Sequence, residues 1–476
     1  MNNLLAPVKR DEIIFLLRDL LSKDVDPHSG RLWSYVYETG SPGLRSLAEE
    51  AYREALWRNM LDPTVFPSVL TMEKEVVSFA LQLFNAPESA DGNFTSGGTE
   101  TNFLALLAAR EYFRESMGKS TVPEVLAPVT VHPSVAKAAW QLGLRLTTFK
   151  VDGEYRADVN DLAEKLMDNT AAVVLSAPNY PFGTFDPVRE AAEVIGEKRV
   201  WLHVDSCLGF TAPLAKRLGR SIPVYDFSVE RVDSLGVDLH KMAYAPRGAS
   251  LILHRDKNTR KHRFFVYSRW PGYPIVNQVA MSSRTAGPLA ASWILLKTLG
   301  IEGYLELTKA SLTARDMLVE AMTGEGFRLE GDPPYVVLAF SHPEKDLVDF
   351  AAKAGSRGWH IQVQPGSRVL GFPMTVHFTV TPVHASVVDR FKEDLPVIMN
   401  ETRSMDQASS DPLLESLKTL TPSQAGSVIP VLIEALGASG GKGLEGADLG
   451  FIARYIHELD PGVVEVLFRE IANLLL

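Results

Sequence analysis

The sequence predicts an α/β protein with a large, mostly parallel sheet, a smaller α+β domain and a helical C-terminal tail. Three observations carry this. Apolar runs of strand length alternate with amphipathic runs of helix length as far as about Leu312. Those runs are continuously apolar rather than alternating, the mark of strands buried on both faces between crossover helices. The chain has 476 residues, and at about 150 residues per domain that is more than one unit.

Taken in order, Val125–Val131, Leu146–Val151, Ala171–Ala177, Val200–Asp205 and Ala249–His254 read as strands. Ser134–Leu142, Asp158–Met167 and Val188–Gly196 read as the helices between them. After Leu312 the pattern changes: Val336–Phe340, Trp359–Gln364 and Met374–Thr381 read as strands, with helices at Glu344–Ala352 and Ser386–Met399. Glu401–Pro412 is polar and reads as a linker, and the rest as helices around a Gly437–Gly446 loop. The expected organisation is an arm over 1–60 that contributes to the active site, a large domain over 61–311, a small domain over 312–403 and an extension over 404–476.

Composition excludes several classes. Lys+Arg 48 against Asp+Glu 58 leaves a net charge of −10, which argues against a general nucleic-acid or anionic-membrane binder. The single cysteine, Cys207, excludes an intramolecular disulfide framework and a cysteine-cluster metal site, and fits a reducing cytoplasm. Cys207 itself reads as a small buried filler. Met1–Asp11 has no apolar core after its charges, so no secretory signal is expected. No run of about 18 apolar residues predicts a membrane span; the longest stretches, such as Val428–Leu436, are broken by Pro430 and Glu434.

Four motifs carry chemistry. Ser96-Gly97-Gly98-Thr99-Glu100 opens an amphipathic segment running to about Ser116; glycines and a helix N-terminus together make a phosphate seat. His132 ends a strand before Pro133, where an imidazole can lie over a flat ring. Asp205 stands at the carboxyl end of a strand, the edge where open α/β sheets bind ligands. Asp238-Leu239-His240-Lys241 follows an apolar stretch; a desolvated lysine there has a depressed pKa and serves as an amine nucleophile. Singly, each has a plainer structural reading: a capped loop, a satisfied histidine, an N-cap aspartate, a surface lysine. Gly437–Gly443 imitates a phosphate loop but is one residue short and lacks the hydroxyl, so it reads as a hinge. No G-x-G-x-x-G follows a strand, which leaves nicotinamide and flavin unsupported. Together and in this order, the four supply what pyridoxal 5'-phosphate needs: a phosphate anchor, ring support, a carboxylate for the pyridine nitrogen and a Schiff-base lysine.

The sequence resembles the group II pyridoxal-phosphate-dependent decarboxylases, and within them the sphingosine-1-phosphate lyase branch, over roughly Gly30 to Arg403. The resemblance rests on Gly30-Arg-Leu-Trp-Ser-Tyr-Val-Tyr37, Asn59-Met-Leu-Asp-Pro-Thr-Val-Phe-Pro67, Thr95–Glu100, Val204-Asp-Ser-Cys-Leu-Gly209, Asp238–Gly248 and Ser283-Arg284. It implies a fold-type I, aspartate aminotransferase-like architecture. It implies that Lys241 holds the cofactor as a Schiff base, that Asp205 pairs with the pyridine nitrogen and that His132 stacks on the ring. Gly97, Gly98 and Thr99 would hold the phosphate, with His240 facing it. Ser282 and Ser283 match a stretch that reaches the phosphate from a neighbouring subunit, so a homodimer with shared sites is implied. Tyr37 matches a tyrosine that faces the substrate, and Lys241 or Tyr37 would carry the proton. Asn59 and Arg247 match positions near the substrate's polar head.

This chain departs from that pattern at three places. Asp62 stands where the lyase branch has a histidine that helps bind substrate phosphate, and an aspartate there repels a dianion. Glu38 replaces a second histidine, and Thr285-Ala286 replaces Pro-Gly. An amine-bearing or less anionic head group suits Asp62 better. The function expected first is carbon–carbon cleavage at the α carbon of an amine substrate by a retro-aldol reaction. An L-amino-acid decarboxylase on the same scaffold comes second, with Arg247 or Arg284 to seat a carboxylate. A non-catalytic binding protein of the same fold comes third.

Overall fold

The computed structural model describes residues 7–118, 120–405, 417–418, 420–425 and 449–475. Met1–Ala6, Val428–Leu436, the Gly437–Gly443 hinge, the Gly437–Gly446 loop and most of the Glu401–Pro412 linker lie outside them.

Three helices come first: α1 (Arg10–Leu21), α2 (Pro42–Ala55) and α3 (Pro67–Leu83). The large sheet then follows with its crossover helices: β1 (Asp91–Thr95), α4 (Gly98–Met117), β2 (Glu124–Pro128), α5 (Pro133–Leu142), β3 (Arg145–Phe149), α6 (Val159–Lys165), β4 (Thr170–Ser176), α7 (Val188–Ile195), β5 (Trp201–Asp205), α8 (Ala212–Arg217), β6 (Ser234–Asp238) and β7 (Ser250–His254). The local signals are plain. Asp158 caps α6 by accepting from the Asn160 and Asp161 N–H groups. His132 caps α5, whose first residue is Pro133 and whose end is a left-handed Gly143. Every residue of β2, β4, β5, β6 and β7 is buried, which is why β2, β4, β5 and β7 read as largely apolar runs, while β6 (SLGVD) is not among the expected strands.

The strand order is β1-β7-β6-β5-β4-β2-β3. β2, β3, β4, β5 and β6 pair in parallel. β7 is antiparallel to both its neighbours, β6 and β1. β7 departs from the expected parallel pattern because no helix joins β6 to β7; the Leu239–Ala249 loop returns the chain directly, and that loop carries Lys241.

Further on lie α9 (Lys257–Arg260), a hairpin of β8 (Phe265–Tyr267) and β9 (Ile275–Asn277), and the long α10 (Gly287–Gly324), broken at Gly300 by φ 54°. The change of pattern near Leu312 thus falls inside one helix. Beyond it, β10 (Arg328–Leu329), β11 (Val337–Ser341), α11 (Leu347–Ser356), β12 (Gln362–Gln364), β13 (Thr375–Thr379) and α12 (Val388–Glu401) form an antiparallel sheet, order β10-β11-β13-β12, with its helices. The N-terminal segment is stitched to this unit: Trp33 N–H donates to His360 O at 3.1 Å and its ring stacks on His384 at 4.3 Å. Three tail helices are described, α13 (Pro422–Ala425), α14 (Leu449–Glu458) and α15 (Pro461–Leu475). Arg454 on α14 pairs with Asp346, the N-cap of α11.

Candidate active site

The carboxyl ends of β4, β5 and β6, with the loop after β1, surround a cavity of about 330 Å³, at the edge where parallel sheets bind ligands. Its walls include Gly97, Gly98, Thr99, His132, Asp205, His240 and Lys241. Residues separated by up to 144 positions in the chain therefore meet there.

β1 ends at Thr95 and α4 starts at Gly98, so the Ser96–Gly97 turn delivers a helix N-terminus to the cavity. The first N–H groups of a helix have no partner within it, and this is what an anion binds. Gly98 is required by close approach: a Cβ built there would stand 2.5 Å from Cys207 Sγ and 3.1 Å from both Asp238 oxygens. Glu100 braces the turn, its Oε2 accepting from Ser96 N–H at 2.6 Å and from Ser96 Oγ at 2.7 Å. Its Oε1 accepts from Ala280 N–H at 2.8 Å.

Asp205 is the last residue of β5 and only 5% exposed. Its Oδ1 accepts from Cys207 N–H at 3.1 Å and its Oδ2 from Asn102 Nδ2 at 2.8 Å. His132 has two roles at once: its Nδ1 accepts from Ser134 N–H at 3.2 Å to start α5, while its ring borders the cavity. Loss of solvent around that ring lowers its pKa. Cys207 is more than a core filler, because its thiol forms part of the cavity wall. Burial, with Asp205 and Asp238 beside it, pushes that thiol's pKa up and keeps it neutral.

The lysine differs from expectation. Burial pulls the Lys241 pKa down, but Asp238 Oδ2 stands 2.9 Å from Nζ, and its charge outweighs burial. The net shift is upward, so the isolated chain holds Lys241 as an ammonium ion rather than a free amine. Asp238 is itself held below its ordinary value against its burial, by Lys241, His240 and Ser250. The His240 ring lies beside the phosphate seat, its Cε1 3.8 Å from where a Gly97 Cβ would stand.

A neighbouring cavity of about 360 Å³ is lined by Tyr37, Tyr244, Arg247 and, again, His240. The Arg247 guanidinium sits 5.2 Å from the Tyr37 ring centre and also donates to Tyr35 O. Glu38 also borders this cavity, but its carboxylate is engaged: it accepts from Thr39 and Gly40 N–H and pairs with His28 at 2.5 Å.

Four expected site residues are not brought to Lys241 within one chain. Asp62 and Ser282 border a different cavity, of about 600 Å³, together with Arg284. Asn59 Nδ2 donates to Ser283 Oγ at 3.3 Å on the same flank. The Asp62 carboxylate is exposed and accepts from Thr64 N–H at 2.8 Å and Thr64 Oγ1 at 2.6 Å, which lower its pKa.

Sequence reasoning passed over Asn102, Ser134 and Tyr180, all at or beside the cavity. One signal existed for Asn102: it lies one helical turn beyond Gly98, on the helix that opens the phosphate seat.

The cavity suits a flat, anionic cofactor. The cradle at Gly98 leaves no room for a side chain, an acceptor carboxylate closes the sheet edge, an imidazole lines one wall and a lysine closes the floor. Gly97, Gly98 and Thr99 would hold the phosphate of pyridoxal phosphate, Asp205 its ring nitrogen, His132 its ring face and Lys241 its aldehyde carbon. Fold and site together define a fold-type I pyridoxal-phosphate enzyme.

The model of the pyridoxal-dependent decarboxylase conserved domain matches residues 9–341, and the chain belongs to that family. It is 35% identical to sphingosine-1-phosphate lyase of Arabidopsis thaliana over 369 residues, 76% of this chain and 66% of that protein. It is 33% identical to sphingosine-1-phosphate lyase 1 of Rattus norvegicus, over 81% of this chain and 67% of that one. The chain thus spans about two thirds of the length of these relatives. The solved structure of a Burkholderia pseudomallei sphingosine-1-phosphate lyase matches with TM-score 0.78 and 30% identity, covering 84% of this chain and 92% of that one. Among the described residues, no helix is long and apolar enough to cross a membrane.

Proposed function

We propose that this protein is a pyridoxal-phosphate-dependent lyase that breaks the Cα–Cβ bond of a 3-hydroxy-2-amino compound, giving an aldehyde and an amine. The observation that carries this reading is the meeting of two cavities at His240. One is built for the cofactor, and the other offers Tyr37 and Arg247 to a substrate. The likeness to sphingosine-1-phosphate lyases supports carbon–carbon cleavage ahead of decarboxylation.

When bound, the cofactor supplies a cationic ring into which the electrons of the broken bond are drawn. The residues do the rest. Asp205 would keep the ring nitrogen protonated by presenting a carboxylate to it. His132, which lines the cavity, would lie against the ring. Lys241, as a free amine beside the substrate, would accept the proton of the 3-hydroxyl as the C3 carbonyl forms and the Cα–Cβ bond breaks. Tyr37, held as a phenol because burial raises its pKa, returns a proton to Cα. Arg247 anchors the polar head.

We further propose that Ser282, Ser283, Asn59 and Asp62 act across a homodimer interface in the cytoplasm, and that Asp62 disfavours a phosphate dianion as head group.

Mass-spectrometric screening of 3-hydroxy amines for aldehyde, against amino acids for CO₂, tests the reaction. Aldehyde release supports it, and CO₂ release alone makes the enzyme a decarboxylase. Lys241→Ala is expected to abolish borohydride trapping of the cofactor on the chain.

A further inference from the structure

A buried hydrogen-bond chain runs beneath the cavity. Trp201 Nε1 donates to Ser234 Oγ at 2.8 Å. Ser234 Oγ meets His203 Nδ1 at 2.8 Å, and His203 Nε2 meets Asn102 Oδ1 at 3.0 Å. Asn102 Nδ2 reaches both Asp205 Oδ2 and Ser134 Oγ at 2.8 Å. Ser134 Oγ meets His132 Nδ1 at 2.8 Å. All members but His132 are buried.

With Asp205 as a carboxylate, the donors and acceptors run in one direction. An indole N–H can only donate, and an amide oxygen can only accept. His203 Nε2 must therefore carry a proton to satisfy Asn102 Oδ1. Burial pushes the His203 pKa down to about 4, so the ring is neutral and its Nδ1 accepts from the Ser234 hydroxyl. The opposite orientation of Asn102 would press its oxygen against the Asp205 carboxylate. Both amide hydrogens are thus committed, one to Asp205 and one to Ser134. The Ser134 hydroxyl, having accepted from Asn102, donates to His132 Nδ1. His132 consequently carries its proton on Nε2.

We propose that Asn102 is a positioning residue that holds Asp205 as an acceptor-only carboxylate and fixes the orientation of His132, through a one-way hydrogen-bond chain that starts at Trp201. This rests on the cofactor assignment above. With Cys207 N–H on Oδ1 and Asn102 on Oδ2, Asp205 has only lone pairs left to offer. The partner it accepts must bring a proton, which is the pyridinium form of the cofactor. One amide thereby sets the charge of the ring's anchor and the tautomer of the ring's wall.

The test uses the full-length chain and pyridoxal phosphate labelled with ¹⁵N at its ring. Asn102→Leu is close in size and removes both donors. It is expected to weaken cofactor binding about tenfold, the loss expected for a hydrogen bond to a charged group. It is also expected to move the ¹⁵N resonance toward the unprotonated value, while borohydride still traps the cofactor on Lys241. An unchanged affinity and ¹⁵N resonance in folded Asn102→Leu would overturn the proposal. Should that variant lose its cooperative unfolding transition, the unsubstituted protein decides. Its ¹⁵N-histidine spectra, recorded without cofactor, must show His132 and His203 both protonated on Nε2, and an Nδ1–H form at either overturns the chain. Absence of any cofactor binding by the unsubstituted protein would instead refute the function, and the histidine spectra would still decide the hydrogen-bond direction.

Discussion

Nζ of Lys241 lies 2.9 Å from Oδ2 of Asp238, three residues earlier at the end of β6. The pair sits on the loop that reverses the chain from β6 into β7, so the strand that positions the lysine also supplies its counter-charge. The cofactor must then compete with Asp238 for the lysine, which gains a reactive amine only when that ion pair loosens.

Asp238→Asn is therefore expected to lower the Lys241 pKa, because the opposing charge goes and burial remains. The fall expected for losing a close opposite charge is about 1–3 units. The pH midpoint of Lys241 modification by an amine reagent, followed by peptide mass spectrometry, measures it. An unchanged midpoint would remove Asp238 from the account.

Gly98→Ala should damage the phosphate seat from within. The added Cβ meets Cys207 Sγ at 2.5 Å, and overpacking of this kind costs about 1–3 kcal/mol. Adding Cys207→Ala removes the sulfur and should restore part of the stability. Urea unfolding of the two single variants and the double variant checks this, and strict additivity would show that the two sites are not in contact.

Acid should weaken the fold between about pH 6.5 and pH 4. Burial lowers the pKa values of His203 and His384 to about 4 and that of His377 to about 3. For each, the unfolded chain binds a proton that the folded chain refuses. Their stabilising contribution is complete above the unfolded value of about 6.5 and drains as pH falls toward the folded one. At about 1.4 kcal/mol per unit, each costs about 2 kcal/mol at pH 5. Asp186 works in the opposite sense: burial raises its pKa to about 7, so it regains about 2 kcal/mol over the same descent. The histidines win by number. Urea midpoints at pH 7 and pH 5 should differ accordingly, and His384→Gln should flatten the difference.

Several features were legible in the sequence because they are local. The crossover strands β2, β4 and β5 announce themselves as largely apolar runs, since burial on both faces leaves no polar period. The chemical order Gly97–Gly98, His132, Asp205, Lys241 could be read because each residue stands in or near a turn marked by neighbours in sequence, although His132 caps α5 rather than ending β2, which stops at Pro128. β1 and β8 gave weaker signals: Asp91–Thr95 contains Asp, Gly and Asn, and its strand form comes from pairing with β7.

What the sequence by itself determined is the class of fold and the four chemical groups of the site, because both follow from patterns a few residues long. The tertiary structure alone decided the state of those groups. Lys241 is an ammonium ion because β6 places Asp238 beside it. Asp205 is held in place because α4 carries the Asn102 amide to its Oδ2 across 103 positions of chain. Asn59, Asp62, Ser282 and Ser283 stand on another flank because α3, β9 and the start of α10 pack there and not beside β6. Charge, tautomer and neighbourhood depend on burial and pairing between distant segments, and a linear pattern does not contain those contacts.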